Sequence, residues 1–310
     1  MMRLTVAICL KKKVKENGLL FLKYNGGKIM NRYGIYAFAD EASSSIDKQV
    51  EALRRNGLCG LEIRDVDGTN VSSISLEKAK EVKKKLDSNG LIIWSIGSPI
   101  GKIGITDAFE PHLDQFKHTL DVARELNAKN IRMFSFFLPK EKRAEDYKEE
   151  VIERLGRMVD AAKGSNICLC HENEKGIYGD IAERCLEIHK AFPEMKGIFD
   201  PANYVQCDVD TLKAWELLKD YIYYMHIKDA RADGFVVPAG CGIGNVDAIV
   251  KEFIARGGRH FTIEPHLTVF DGLKQLEREG ERTLIEEYKY PNSDAAFDAA
   301  CNAFKGILEK

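Results

Sequence analysis

The sequence predicts an α/β fold, a single (β/α)₈ barrel, from two features of its 310 residues. Short apolar runs with the length of buried strands recur eight times, and segments with helical periodicity lie between them. Strands that alternate with helices form parallel βαβ units, and eight such units close a barrel. A chain of this length can form such a barrel as one domain.

The elements follow one another at regular spacing. The eight predicted strands are Tyr33–Ala37, Gly60–Ile63, Leu91–Ile96, Asn130–Phe134, Ile167–Cys170, Lys196–Phe199, Ile222–Ile227 and His260–Ile263. Helices are predicted over Ser45–Gly57, Leu76–Gly90, His112–Leu126, Glu145–Gly164, Ile181–Phe192, Val209–Lys219 and Val246–Gly257. The first helix begins at a polar residue, Ser45, and ends in Asn56-Gly57, which are typical start and stop signals.

The two ends of the chain differ from this pattern. In residues 1–29 the basic run that starts at Lys11 follows an apolar stretch, which is the reverse of a secretory signal. We predict that residues 1–29 are a poorly packed or non-native extension and that the native start is Met30. Residues 30–310 form the predicted barrel domain. Its last segment, Asp294–Leu308, is amphipathic and predicts a C-terminal helical extension.

Composition excludes several classes of partner. The net charge is −2, so the basic excess of a nucleic-acid-binding protein is missing. No apolar run reaches the roughly 18–20 residues of a membrane helix. The eight cysteines are scattered without a CxxC pair, which indicates reduced thiols and a cytoplasmic location. Cys168 and Cys170 lie two apart on one strand, and we interpret them as small barrel-lining residues rather than half of a zinc site.

Four consecutive predicted strands end in residues that can bind a metal ion: Glu172, Asp200, His226 and Glu264. The C-terminal ends of parallel barrel strands meet at one end of the barrel, so these side chains should converge. Three carboxylates and one imidazole suit one divalent cation. Oxygen ligands favour Mg²⁺ or Mn²⁺ and the imidazole shifts the preference toward Mn²⁺, Zn²⁺ or Co²⁺. We expect Mn²⁺.

Further polar residues follow the strand ends and are predicted to bind substrate. They are Glu41, Arg64, Ser98, Lys102, Arg132, Lys175, Asn203, Lys228 and Asp229. The cationic members can bind hydroxyls, a carboxylate or a phosphate, or can instead pair with a structural carboxylate such as Glu62. The glycine-rich run 240–245 is a weaker candidate for phosphate binding. His171 should point away from Glu172 and be packed.

These strand-end motifs resemble the sugar phosphate isomerase/epimerase group of the xylose-isomerase-like TIM barrels. The resemblance covers roughly residues 33–267 and is carried by the segments 171–175, 199–203, 226–229 and 263–266. In that group a Glu, an Asp, a His and a final Glu hold the metal, which implies Glu172, Asp200, His226 and Glu264 here. The two glutamates also serve there as acid and base. The chain departs from the group at Asn203, where many relatives have a histidine.

The resemblance implies a divalent-metal-dependent isomerase or epimerase that acts on a small sugar or sugar derivative. Proton transfer through an enediolate would move or invert one carbon centre. A metal-dependent lyase, such as an inosose dehydratase-like or C-glycoside-cleaving enzyme, needs the same metal and base and remains an alternative. A non-catalytic sugar-binding barrel is a third reading, although all four metal-binding positions are present. The sequence leaves the oligomeric state open, including a homo-oligomer.

Overall fold

The computed structural model describes residues 32–273, 282–286 and 289–310, together with a short antiparallel strand pair, Lys15–Glu16 and Leu19–Leu20. The predicted boundary between residues 29 and 30 lies outside the described residues and stays a prediction. No helix in the described part of the chain has the length and apolar character needed to cross a membrane.

Eight parallel strands close into a barrel, which confirms the predicted fold class. In chain order they are β1 (Gly34–Ala37), β2 (Gly60–Ile63), β3 (Ile92–Ile96), β4 (Asn130–Met133), β5 (Cys168–Glu172), β6 (Lys196–Phe199), β7 (Ile222–Ile227) and β8 (His260–Ile263). Each strand pairs with its neighbours in the chain, and β8 pairs with β1 to close the ring. All eight C-terminal ends therefore lie at the same end of the barrel.

Helices surround the barrel. They are α1 (Ile46–Arg55), α2 (Leu76–Ser88), α3 (Phe109–Leu126), α4 (Lys148–Ala162), α5 (Ala182–Ala191), α6 (Pro201–Val205), α7 (Thr211–Leu218), α8 (Val246–Ala255) and α9 (Ser293–Leu308). The short helix α6 was not predicted from the sequence. It begins with Pro201, and the Asp200 side chain accepts a hydrogen bond from the Asn203 N–H, so local capping starts a helix directly after β6.

The C-terminal helix is present as predicted. Its buried residues include Phe297, Cys301 and Phe304, and the Phe304 ring lies 5.1 Å from the Phe261 ring of β8. On its outer side, Arg55 of α1 forms salt bridges with Asp294 and Asp298 of α9. This helix therefore covers the outside of the barrel next to its closing strands.

The barrel interior has an apolar floor and a polar upper layer. The floor is a cluster of buried side chains: Tyr36, Trp94, Cys170, Ile198 and Tyr224. Side chains two residues apart on a strand point to the same face, so the inward positions after Cys170 and Tyr224 are Glu172 and His226. The apolar residues near the start of the strands thus support the polar residues near their C-terminal ends.

Candidate active site

Four predicted metal-binding residues converge at the C-terminal end of the barrel. Glu172 is the last residue of β5, His226 lies within β7, and Asp200 and Glu264 directly follow β6 and β8. One ligand atom of each lies within 4.8 Å of the others, and all four residues are buried. Adjacent parallel strands therefore bring together residues that are up to 92 positions apart in the chain, from Glu172 to Glu264.

The histidine ring is oriented with one nitrogen toward the carboxylates. His226 Nδ1 lies 2.8 Å from Glu172 Oε1, 3.5 Å from Glu264 Oε2 and 3.9 Å from Asp200 Oδ2. The pKa of His226 is raised well above its usual value, because the charges of Glu172 and Glu62 outweigh the effect of burial. Nδ1 faces the other three proposed ligands, so it is the nitrogen that would bind a cation after losing its proton.

The cluster fits a divalent cation. Burial raises the pKa of Asp200 to about 7, Lys228 opposes this rise, and the nearby charges of Glu264 and Glu172 add to it. The Oδ2 atom of Asp200 accepts no hydrogen bond, although the Lys228 ammonium lies 3.1 Å away. A buried carboxylate oxygen without a hydrogen bond, beside two more carboxylates and an imidazole, is a donor set that suits Mn²⁺, Mg²⁺, Zn²⁺ or Co²⁺.

Glu62 lies on the opposite side of the histidine ring. Its Oε2 is 3.1 Å from His226 Nε2, and its Oε1 accepts a hydrogen bond from the Tyr224 hydroxyl at 2.9 Å. Burial opposes its ionisation, but His226 and Arg132 hold the pKa of Glu62 below its usual value. A carboxylate in this position orients an imidazole toward a metal ion.

This role of Glu62 was not predicted from the sequence. Glu62 was expected only as a structural carboxylate that could pair with one of the nearby lysines or arginines. One feature of the sequence could have revealed it: Glu62 lies between Leu61 and Ile63 in a short buried strand. A charged side chain is stable in such a strand when it points into the barrel and contacts other polar groups.

A polar cavity opens above the cluster, next to Glu264. Its lining includes Arg64, Lys102, Arg132, Asn203, Lys228 and Glu264. Five of the residues predicted to bind substrate therefore face the same cavity as Glu264 of the carboxylate cluster.

The cations of the cavity are held by carboxylates. Arg132 contacts Glu172 Oε2 at 3.1 Å, and Lys102 contacts Glu174 at 2.7 Å. The Lys228 ammonium lies 3.1 Å from Asp200 Oδ2 and 3.0 Å from Glu264 Oε2. Two of these three cations thus contact members of the candidate metal cluster directly, and the third lies above it.

Arg64 does not pair with Glu62, the structural carboxylate suggested by the sequence, but with three other carboxylates. Its guanidinium contacts Asp40 at 2.8 Å, Glu41 at 3.0 Å and Glu264 at 3.3 Å, whereas Glu62 contacts His226 and Tyr224. Arg64 therefore connects the end of β1 to Glu264.

Glu41 and His266 extend this network. Glu41 Oε2 accepts a hydrogen bond from the His266 backbone N–H at 2.6 Å, and His266 Nδ1 lies 3.2 Å from Glu41 Oε1. Together with Glu264 they form a second group of buried candidate metal ligands. Glu41 was predicted to bind substrate; in the structure it holds Arg64 and the loop after β8.

Asn203 occupies the position where the sequence departs from the resembling group. Its amide Nδ2 donates to the Asn173 carbonyl at 2.9 Å and lies 3.4 Å from Glu172 Oε1. A side-chain amide neither gains nor loses charge near neutral pH, so Asn203 can position Glu172 but cannot act as a general acid or base.

Three residues predicted to bind substrate have other surroundings. Asp229 accepts hydrogen bonds from the N–H groups of Gly240, Gly242 and Gly244 at 2.9–3.0 Å, which also occupies the amides considered for phosphate binding. Ser98 is buried and donates to the Arg132 carbonyl. Lys175 is exposed. These three positions follow strand ends in the sequence, but the loops turn their side chains to structural or solvent-facing roles.

His171 lies where the strand alternation predicts. It is buried, and its Nε2 contacts the Ser135 hydroxyl at 3.0 Å. Burial lowers the pKa of His171 to about 3, so the ring is neutral at physiological pH.

The fold and this strand-end site define a class of barrel proteins. A family model described as xylose isomerase-like TIM barrel matches residues 50–286, and the chain belongs to this family. The sequence has no significant match among curated proteins.

Three solved structures show the breadth of the fold. The probable 3-DHS dehydratase AsbF from Bacillus anthracis is 18% identical, with a TM-score of 0.66 and coverage of 87% of this chain and 98% of that one. The 3-keto-D-glucoside 4-epimerase YcjR from E. coli is 14% identical, with a TM-score of 0.64 and coverage of 90% of this chain and 100% of that one. IOLI protein with a bound zinc atom is 14% identical, with a TM-score of 0.67 and coverage of 89% of this chain and 97% of that one. At these identities the likeness concerns the fold.

Proposed function

We propose that this protein is a divalent-metal-dependent isomerase or epimerase that acts on a small sugar or sugar derivative. The observation that carries the proposal is the convergence of Glu172, Asp200, His226 and Glu264 below a polar cavity that Glu264 lines. Membership of the xylose isomerase-like family supports it, as does the similarity in fold to an epimerase.

The two glutamates are suited to proton transfer. Glu172 is on β5 and Glu264 follows β8, so they approach the cavity from strands that are not adjacent. Each has its own cationic partner: Glu172 contacts Arg132, and Glu264 contacts Arg64 and Lys228. We assign Glu264 as the group that removes a proton next to a substrate carbonyl, and Glu172 as the group that returns one.

A bound divalent ion would act as a Lewis acid toward a substrate carbonyl and its adjacent hydroxyl. Glu172, Asp200, His226 and Glu264 would hold it, with Glu62 fixing the orientation of the imidazole. Mn²⁺ is our first choice because three oxygen donors and one nitrogen donor lie between the preferences of Mg²⁺ and Zn²⁺.

Arg64, Lys102, Arg132, Asn203 and Lys228 would bind substrate in this scheme. Lys102 and Lys228 come from the loops after β3 and β7, so they lie on different sides of the cavity. Ammonium and guanidinium groups bind sugar hydroxyls, carboxylates and phosphates by charge-assisted hydrogen bonds.

A lyase or dehydratase is the second candidate. Two observations favour it: Asn203 in place of a histidine, and the fold similarity to a probable 3-DHS dehydratase. Such a reaction would use the same proton-removing carboxylate and then expel a substituent from the next carbon. In that scheme Lys102, on the wall of the cavity, would donate a proton to the leaving group.

Nuclear magnetic resonance in D₂O separates the two candidates. We would incubate the Mn²⁺-loaded protein with a panel of ketoses, keto-cyclitols and 3-keto-glycosides. An isomerase or epimerase incorporates deuterium at one carbon of a recovered sugar, with nothing released. Release of water or an aglycone with an unsaturated or diketo product would overturn the first proposal in favour of the second.

A sugar-binding protein without catalytic activity is the remaining alternative. The presence of both glutamates, Glu172 and Glu264, in the cluster counts against it.

The seven cysteines in the described part of the chain are free thiols, which supports our proposal of a reducing, cytoplasmic environment. The partner we propose is a small sugar, without nucleic acid or membrane.

A further inference from the structure

The floor of the barrel carries a pair of thiols below the carboxylate cluster. Cys168 and Cys170 are near the start of β5, and their sulfur atoms lie 3.9 Å apart on the same face of the strand. Cys170 is fully buried among Tyr36, Trp94 and Tyr224, whereas Cys168 is partly exposed. The pair is therefore enclosed on one side and reachable from the other.

The backbone opposes a disulfide between these thiols. Cys168 pairs with Asn130 of β4, and Cys170 pairs with Arg132 of β4 and Lys196 of β6, so the strand is held extended from both sides. Residues two apart on an extended strand have Cα atoms about 6.6 Å apart. This separation is at the outer limit for a disulfide, whose sulfur atoms must approach to about 2.05 Å. The two thiols thus remain close and reduced.

The same spacing suits a shared metal ion. Two thiolates bound to one zinc ion at about 2.3 Å and at a tetrahedral angle have sulfur atoms about 3.8 Å apart, close to the 3.9 Å found here. The neighbouring Cys170 thiol and the Lys196 charge lower the pKa of Cys168, which favours a thiolate at the exposed position.

Among the described residues, no third histidine, cysteine or carboxylate completes a group around these sulfur atoms within 4.8 Å. The site therefore has two protein ligands. Such a site suits soft ions that accept few ligands, of which Cu(I) is the biological example, and Zn²⁺ with solvent in its remaining positions.

The sequence alone led us to interpret Cys168 and Cys170 as barrel-lining residues. From the distance between their sulfur atoms we now propose that they form a two-thiolate site for one thiophilic metal ion, separate from the carboxylate cluster. The proposal is independent of the reaction at the carboxylate cluster. One consequence concerns metal analysis, because zinc added to this protein would distribute between a carboxylate–imidazole site and a thiolate site.

The test uses Cu(I), because carboxylates hold this soft ion poorly. The full-length reduced protein is titrated with Cu(I) under anaerobic conditions against a chromogenic Cu(I) chelator. We expect one equivalent of Cu(I) to be withheld from the chelator by wild type and by His226→Ala. Cys168→Ser should lose that equivalent, and Cys241→Ser, which removes an exposed thiol, should keep it.

A second measurement tests the proximity of the two thiols without a metal ion. Phenylarsine oxide reacts with two adjacent thiols to form two As–S bonds and release one water, and mass spectrometry detects the adduct. We expect one such adduct in wild type and in Cys241→Ser and none in Cys168→Ser. Equal Cu(I) retention by wild type and Cys168→Ser, or an unchanged arsenical adduct in Cys168→Ser, overturns the proposal.

Discussion

His226 Nε2 lies 3.1 Å from Glu62 Oε2, while Nδ1 of the same ring faces Glu172 at 2.8 Å. The imidazole is thus held between a carboxylate below it and a carboxylate cluster above it. Tyr224 and Ser95 continue the contacts below, since the Tyr224 hydroxyl donates to Glu62 and lies 3.2 Å from the Ser95 hydroxyl. The orientation of the candidate metal ligand therefore depends on three residues beneath it.

We predict that Glu62→Gln weakens metal binding without removing a ligand. The amide oxygen can still accept a hydrogen bond from Nε2–H, but the negative charge that polarises the imidazole is lost. Loss of such a supporting group typically lowers metal affinity by about 10–100-fold. Competition with a fluorescent chelator measures the change. The exposed Glu77→Gln is the matched control, and an affinity equal to wild type in Glu62→Gln would show that the carboxylate does not tune the ligand.

Removing a proposed ligand should reduce metal content directly. Purified protein loaded with Mn²⁺ should hold close to one equivalent in the carboxylate cluster. Asp200→Asn and His226→Ala should lower this occupancy while the far-ultraviolet circular dichroism stays unchanged, because eight strands share the stability of the barrel. Elemental analysis after gel filtration provides the measurement. Asp121→Asn on the outside of α3 is the control, and full metal content in His226→Ala would reject that ligand.

Glu264→Gln tests the assignment of the proton-removing group. The variant retains an oxygen that can contact a metal ion but cannot accept a proton. Exchange of substrate hydrogen with solvent deuterium should fall by about 10²–10⁴-fold, the usual range for loss of a general base. Glu174→Gln, which changes the partner of Lys102, serves as the comparison. If Glu264→Gln exchanged normally and Glu174→Gln did not, the base would be Glu174.

Lys102→Ala and Lys228→Ala test the cationic lining of the cavity. We expect a higher KM or a lower kcat in both variants with metal content retained, because neither ammonium donates electrons to a cation. Lys175→Ala is the control, since Lys175 follows a strand end but is exposed. Steady-state kinetics on a confirmed substrate decide the point. Wild-type kinetics in both variants would mean that these lysines only neutralise Asp200, Glu174 and Glu264.

The stability of the metal-free protein should depend on Asp200. Because the pKa of Asp200 is raised to about 7 in the folded protein, folding favours its neutral form. The Asp200 carboxylate therefore lowers the free energy of unfolding by an amount that grows as pH rises from about 4 to about 7. Above the folded pKa this destabilisation reaches a plateau. For a pKa shift of this size, the free energy of unfolding differs between the two ends of this pH range by an amount on the order of a few kcal/mol.

Urea unfolding of chelator-treated wild type and Asp200→Asn between pH 5 and pH 8 measures this effect. Asn can retain the capping interaction at the start of α6 but carries no charge. We expect Asp200→Asn to become more stable relative to wild type as pH rises. Saturation of wild type with Mn²⁺ should abolish the loss of stability that wild type shows over the same pH range. Parallel pH profiles for the two proteins would contradict the assignment.

The fold could be predicted because its signals are local. Eight apolar runs separated by amphipathic helices specify βαβ units, and the eight observed strands lie where those runs are. The convergence of Glu172, Asp200, His226 and Glu264 follows from the same topology, since parallel strands in sequential order must end together. Helix α6 was missed because five residues show too little periodicity to mark a helix.

The partners of individual side chains required the tertiary structure. Glu62 and Arg64 are two residues apart, yet Glu62 contacts His226 and Tyr224 below the cluster, whereas Arg64 reaches Asp40, Glu41 and Glu264 at the rim. Asp229 resembles a site residue in sequence, but its loop places three glycine N–H groups around it. Backbone periodicity places a side chain on a face and at a height within the barrel. Which of several nearby charges it contacts depends on loop paths and side-chain conformations, and these are set only when distant parts of the chain pack together.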